Sequence, residues 1–427
     1  MRVVRLWQWL LTLVCMVFVL HTGWGQITER TPLVIRHADE MVGFETDAGA
    51  VRELHGNVVM THGDVEIRCD RARQELATGR AELIGNVVIV QGALRMTMQR
   101  GEYLSAQRVA RGVGDVTIRD SIATLEAPQG EYLLDRRRAV FHGGVRLRDS
   151  STTIVADSMA YNRTTGERWA WGRVRLDATW QHATVRSDSA YQYPATRVAV
   201  FGGRTLLVEW DSTASDTLFL RAERLRLRDD SLSRRVSRAE GNVRLVRGAI
   251  RARSDSAELV GEETIVLVGN PIVWADSAQL TGETIRAELV RRRLRIVRAD
   301  GNAALGIVED SVASAPHQLM AHSIVLEFDS DSLRTVRGSG QVYTLYQNRT
   351  DDGKPDGITR VASDSIVIAF GSGRIQRCTW LGGVESEYVP EHRTTPAERY
   401  LRGFVWRTET KPSRDELLHA SAESKTH

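Results

Sequence analysis

The sequence predicts an all-β chain, an elongated and repeated β-jellyroll in which one antiparallel sheet is folded over on itself like a taco. Three observations predict it. Glycine-centred motifs recur at a fixed interval. Apolar and polar residues alternate with period two on either side of each glycine. Tight-turn residues separate the alternating runs.

The first 25 residues stand apart from this pattern. Arg2 and Arg5 precede an apolar run from Leu10 to Leu20, and Gly23-Trp24-Gly25 places small residues just before Gln26. This is the layout of a secretory signal peptide, residues 1–25. Retention as an N-terminal anchor is the alternative, but the run is shorter than the roughly 20 apolar residues a spanning helix needs. The exported chain is expected outside the cytoplasm.

The repeat begins next. Gly56-Asn57-Val58, Gly85-Asn86-Val87, Gly114-Asp115-Val116, Gly143-Gly144-Val145 and Gly172-Arg173-Val174 follow one another at 29-residue steps. Later copies at Gly203, Gly241, Gly269, Gly301, Gly340 and Gly382 drift in spacing. A second element lies near mid-repeat, as in Cys69-Asp70-Arg71-Ala72, Ala156-Asp157-Ser158 and Ser187-Asp188-Ser189-Ala190. Each unit of about 29 residues reads as two strands. Arg80 to Val90 is one extended segment with Gly85 in its middle, and a glycine inside a strand marks a bulge or sharp bend. Turns such as His62-Gly63-Asp64 and Asp149-Ser150-Ser151 join the strands. A parallel β-helix is the competing architecture, but the two-turn unit favours antiparallel pairing.

Asp229 to Arg238 is a charged interruption with irregular spacing around it. It divides the array into a first half, 26–228, and a second half, 229–390. Gln347 to Arg360 reads as a polar insertion, and 391–427 as a polar C-terminal tail. Cys69 and Cys378 are the cysteines outside the leader, and the sequence leaves open whether they are bonded.

Composition narrows the function. The 427 residues are 42% apolar and 26% charged, with a formal charge of only +3. Of the 57 basic residues all but Lys354, Lys411 and Lys425 are arginine, against 54 acids. That balance does not fit a nucleic-acid binder. No HExxH, P-loop or nucleophile elbow occurs, so no catalytic residue, metal ligand or cofactor is expected. Asp351 to Gly357 lacks the ligand spacing of a calcium loop and reads as a surface hairpin.

Leu54-His55-Gly56-Asn57-Val58-Val59 with Ile67-Arg68-Cys69-Asp70-Arg71-Ala72, then Leu83-Ile84-Gly85-Asn86-Val87 and Ala239-Glu240-Gly241-Asn242-Val243, resemble the OstA/LptA family of β-jellyroll lipopolysaccharide-transport proteins. The resemblance spans roughly residues 34–385. It implies a non-enzymatic protein that carries or bridges glycolipid toward the outer membrane through an apolar groove. It also implies partners: lipopolysaccharide or a related glycolipid, other lipopolysaccharide-transport proteins joined by edge-strand addition, and head-to-tail self-association. The chain is about twice the length of the small bridge member and lacks the C-terminal barrel stretch of the large one. The inward positions expected to line the groove are Val58, Ile67, Val87, Ile89, Met96, Val116, Leu125, Val145 and Ile154. Arginines at the groove lip would suit sugar-linked phosphates. The alternative is a structural or carbohydrate-binding β-solenoid scaffold of the envelope, with a self-filled core.

Overall fold

The computed structural model describes residues 32–419 apart from 179–181, 212–216, 230–234, 262, 276, 292, 309–314, 330–331, 372–373 and 409. The signal-peptide segment 1–25 lies outside the described residues.

Alternation and turns produce the expected sheet. Its 26 strands hydrogen-bond antiparallel. Most are 10–18 residues long, such as Arg80–Gln91 and Leu94–Leu104. Each long strand bends in the middle. In Arg80–Gln91, Ile84 lies opposite Arg100 and Val87 opposite Met98, so Gly85 and Asn86 together face Gln99 alone. This is the two-against-one count of a β-bulge. Both bulge residues are left-handed, Gly85 at φ 78° and Asn86 at φ 48°. The same pair recurs at every repeat glycine, with Asn, Asp, Arg, Gln or Gly in second place. Asn and Asp tolerate this region better than other side chains, which accounts for the recurring Gly-Asn.

The bends stack into a spine, and the sheet folds along it into two arms. Arm A holds residues before the bend of each glycine-bearing strand, such as Arg80–Ile84. Arm B holds those after it, such as Val87–Gln91. Residues of one parity point between the arms. Leu83 and Tyr103 of arm A meet Val87, Ile89 and Met96 of arm B in one core cluster that extends from Leu54 to Val174. A second cluster continues from Ala183 to Phe370, and Leu176 and Ala190 touch both. Pairing runs unbroken between Thr217–Asp229 and Arg235–Arg247.

The stack begins and ends in half-strands. Val34–His37 and Glu40–Thr46 lie end to end against Gly49–His62. Arg374–Leu381 and Glu385–Val389 lie likewise against Pro355–Gly371.

The segment after Val389 turns back over the outside of arm B. Buried Gln318 donates to the Arg399 carbonyl at 2.7 Å and accepts from the Leu401 amide at 2.8 Å. Gln279 grips Val405 and Arg407 in the same two-point manner, 2.7 and 2.8 Å. Trp274 Nε1 donates to the Arg407 carbonyl. The short helix Arg414–His419 then places Leu417 against Leu206, Phe219 and Val246. The strap is held by outward-facing residues that sequence alternation treats as ordinary surface.

Candidate functional site: the seam between the arms

The nine expected groove residues all point between the arms. Their exposures run from 0% to 3%. Ile67 pairs with Ile89, and Ile89 with Met96, across three neighbouring strands of arm B. Val145 and Ile154 continue the same line further along. The seam is thus continuous and packed with side chains. Where the two core clusters meet there is an apolar recess bordered by Ile154, Met159, Leu176, Ala190 and Phe201.

The spine side of the seam is fixed by acids. Asp70 sits on the Gly85 bend and accepts from Asn86 Nδ2 at 3.0 Å. Asp39 accepts from Asn57 at 2.9 Å, and Glu283 from Asn302 at 3.0 Å. At Gly172 and Gly203 the second bend residue is arginine, and Arg173 and Arg204 pair with Asp157 and Asp188 at 2.6 and 2.8 Å. The aspartate of the mid-repeat element therefore caps the next bend, a role the sequence reading did not assign to it.

Opposite the spine, the rims of the two arms are tied by a ladder of polar clasps. His62 Nδ1 lies 2.7 Å from Tyr103 Oη. Tyr132 Oη donates to Gln91 Oε1 at 3.2 Å, and Tyr161 Oη to Asp120 Oδ2 at 3.3 Å. Arg163 joins Tyr132 Oη and Asp120 at 3.0 and 3.3 Å, and Arg168 reaches Asp149 at 2.6 Å. His62, Gln91, Asp120 and Asp149 come from arm B hairpins, and the tyrosines and arginines from arm A. The sequence reading missed this ladder. Its signal was present in the 29-residue steps Tyr103, Tyr132, Tyr161 and His62, Gln91, Asp120, Asp149.

Burial sets the electrostatics of the rim. It raises the Tyr103 and Tyr132 hydroxyls. Burial, then the Asp120 carboxylate, pushes Tyr161 up to about 12. These phenols stay neutral. Burial alone would raise Asp149, but the amides of Ser151 and Thr152 and the Arg168 guanidinium outweigh it and hold the carboxyl at about 2. The rim is therefore a set of hydrogen-bonded dipoles and compensated charges, which the interior tolerates.

No disulfide joins the cysteines outside the leader: Cys69 is buried and Cys378 half-buried. Burial pushes the Cys69 thiol up to about 11, so it is a small core residue. Among the described residues no group of His, Cys, Asp or Glu is arranged to hold a metal. No helix among them is long and apolar enough to cross a membrane. Asp351–Gly353 forms a surface turn between Ser332–Arg349 and Pro355–Gly371.

Two family models match the chain. Residues 30–181 match the OstA-like protein family, and residues 124–292 match the LptA/(LptD N-terminal domain) LPS transport protein family. A search of curated proteins finds no significant match. Beyond residue 292 the same bends continue at Gly301-Asn302, Gly340-Gln341 and Gly382-Gly383. Across residues 30–292, through repeats whose folded sheet and glycine bends persist to its C-terminal edge, the chain belongs to the OstA/LptA-like family of lipopolysaccharide-transport proteins.

Proposed function

We propose that the chain is a non-enzymatic periplasmic carrier or bridge for lipopolysaccharide or a related glycolipid, with acyl chains held in the seam between the arms. The observation that carries this reading is the unbroken line of apolar side chains from Val58 to Ile154, open to neither face of the sheet. Each buried methylene is worth about 0.8 kcal/mol, so an acyl chain of about a dozen carbons gains on the order of 10 kcal/mol without a polar site. Because the seam is filled, entry requires the rim clasps to release and the arms to part. Lipid contacts then replace side-chain contacts, and the apolar surface never faces water.

The two ends of the stack support the bridging part. Glu40–Thr46 exposes Met41, Val42 and Phe44, and the opposite end exposes Leu381, Val384 and Tyr388. Strand edges of this kind accept a further strand. Other lipopolysaccharide-transport proteins, or a second copy arranged head to tail, are the partners of matching geometry.

Full burial of the nine seam residues favours one second reading, a self-filled scaffold of the envelope. Photocrosslinkers at Val87 and Val145 separate the two. Carriage predicts labelling by lipopolysaccharide that excess unlabelled lipid suppresses. Absence of labelling in a protein that still melts cooperatively would establish the scaffold reading.

A further inference from the structure

The outer faces of the two arms carry different charge patterns. Over the first core cluster, arm A carries several cross-strand ion pairs, although further along it Arg226 lies opposite Arg238 and Arg286 opposite Arg298. Arg73 pairs with Glu53 at 3.6 Å, and Arg111 with Glu102 and Glu131 at 3.5 and 2.8 Å. On arm B, beyond the Arg68–Glu66 pair, arginines face arginines. Arg95 lies directly opposite Arg119, and Arg119 and Arg148 flank Thr124. Arg146 is two positions from Arg148 on the same face. All four are exposed, and none has an ion-pair partner among the described residues. The acid facing this patch is Glu126, opposite Arg146 but not in ion-pair contact with it. Further along, Arg175, itself paired with Asp177 at 3.0 Å, lies opposite Arg186, and Arg221 lies opposite Arg244. Like charges directly opposite destabilise a sheet, so the fold maintains this face against its own repulsion.

At its far end the face is occupied by the chain's own C-terminal helix. Glu416 pairs with Arg244, Arg221 donates to the Leu417 carbonyl at 3.1 Å, and Leu417 fills the hollow of Leu206, Phe219 and Val246. Burial, then the nearby Arg244 and Arg204, push the Arg221 pKa down against the opposing pull of Asp188. Over Arg221 and Arg244 the occupant is a short, acidic, leucine-bearing helix, whereas over Gln279, Gly306 and Gln318 it is the extended strap with Phe404 and Trp406.

We propose that the uncovered part of the same face, at Arg95, Arg119, Arg146 and Arg148, docks an acidic helical segment of a partner protein. Charge complementarity and continuity with the strap site carry the argument. Neighbouring strands lie about 4.8 Å apart, and acids three or four residues apart on a helix lie about 5–6 Å apart. Carboxylates on one helix face therefore meet successive arginines in register. The strands of the patch display threonines and half-buried valines, and the large apolar residue exposed beside them is Ile122 in the turn between Arg119 and Thr124, too small a surface to anchor a lipid bilayer.

The test is fluorescence anisotropy with a labelled peptide of repeated Glu-Glu-Leu-Leu and the full mature chain, at ~20 mM and ~150 mM salt. The wild-type protein should bind, more tightly at low salt. Arg119→Glu/Arg148→Glu should weaken binding about tenfold. Arg71→Glu/Arg100→Glu, the same charge change on arm A, should leave it within about twofold. If the glutamate pair fails to melt cooperatively, Arg119→Ala/Arg148→Ala should show a smaller loss in the same direction. Equal losses in the two arms would reduce the effect to net charge and overturn the proposal. So would an absence of peptide binding, including the case where phosphatidylglycerol vesicles bind through Arg119 and Arg148 instead. None of these outcomes depends on whether lipid enters the seam.

Discussion

Replacing Gly85 with alanine tests whether the bend and its cap form one unit. At φ 78° an L-residue carries a cost of roughly 1–2 kcal/mol. The new methyl would also overlap an Asp70 carboxylate oxygen and stand 3.0 Å from its Cγ and 3.1 Å from its Cβ. Asp70 must then swing away, and its bond from Asn86 at 3.0 Å is lost, for about 1 kcal/mol more. Gly85→Ala should cost about 2.5 kcal/mol and Asp70→Ala about 1 kcal/mol. The double variant should cost about 2.5 kcal/mol rather than 3.5, because the same bond is lost once. The coupling of about 1 kcal/mol is the signature. In a long stack of neighbouring strands one weakened bend is a small part of the whole, so a global melt would blur the effect. Native-state amide exchange in Val65–Glu75 and Arg80–Gln91 reads it locally. Protection should fall by fifty- to a hundredfold in Gly85→Ala, since about 1.4 kcal/mol is a factor of ten. Additive losses would show that Asp70 moves aside freely and that the acid is not a cap. A Gly85→Ala loss under about 0.5 kcal/mol would refute the strained-bend argument altogether.

Other predictions test the rim, the strap and the core. Asp149 is depressed to about 2 from an ordinary 3.8 and its side chain is only 12% exposed. Its contribution of about 2 kcal/mol is therefore present above pH ~4 and lost as pH falls toward 2. Asp149→Asn should destabilise the protein at pH 7 and approach wild type near pH 2, seen in urea midpoints across pH; a constant difference would contradict it. Gly306 lies under the strap, and a Cβ there would stand 2.6 Å from Trp406 and 2.7 Å from Phe404. Gly306→Val should lift the strap, so that trypsin cuts at Arg399, Arg402 and Arg407 at least about tenfold faster while the sheet still melts cooperatively; unchanged cleavage would mean that the glutamine grips alone hold it. Cys69 should resist a thiol reagent in the native protein, reacting at the rate of unfolding, while Cys378 reacts faster. Ile89→Asp buries a carboxylate in a fully packed site and should abolish the cooperative melt of the first core cluster; a folded Ile89→Asp protein would show that the seam opens readily.

The repeat, the strand alternation and the glycine bends are legible in the sequence because each is written in neighbouring residues. A left-handed bulge selects Gly-Asn, a half-buried strand selects alternating Val and Ile, and a hairpin tip selects Gly and Asp. These preferences act within a few residues, and repetition at 29-residue steps amplifies them. The inward set from Val58 to Ile154 followed from that alternation alone. What those residues face did not. A period-two pattern separates inside from outside, but it does not say whether the opposite arm lies close enough to fill the space. Only the closed fold decided that the seam is packed. The same holds for Asp70 above Gly85 and for Tyr132 reaching Gln91, partners 15 and 41 residues apart that meet through the bend and stacking of the strands. It holds most strongly for the strap, where Gln279 and Gln318 grip backbone 126 and 83 residues further along. Local propensity carries no information across such distances, so the strap, the rim clasps and the unbalanced arginine face exist only once tertiary packing brings the strands together.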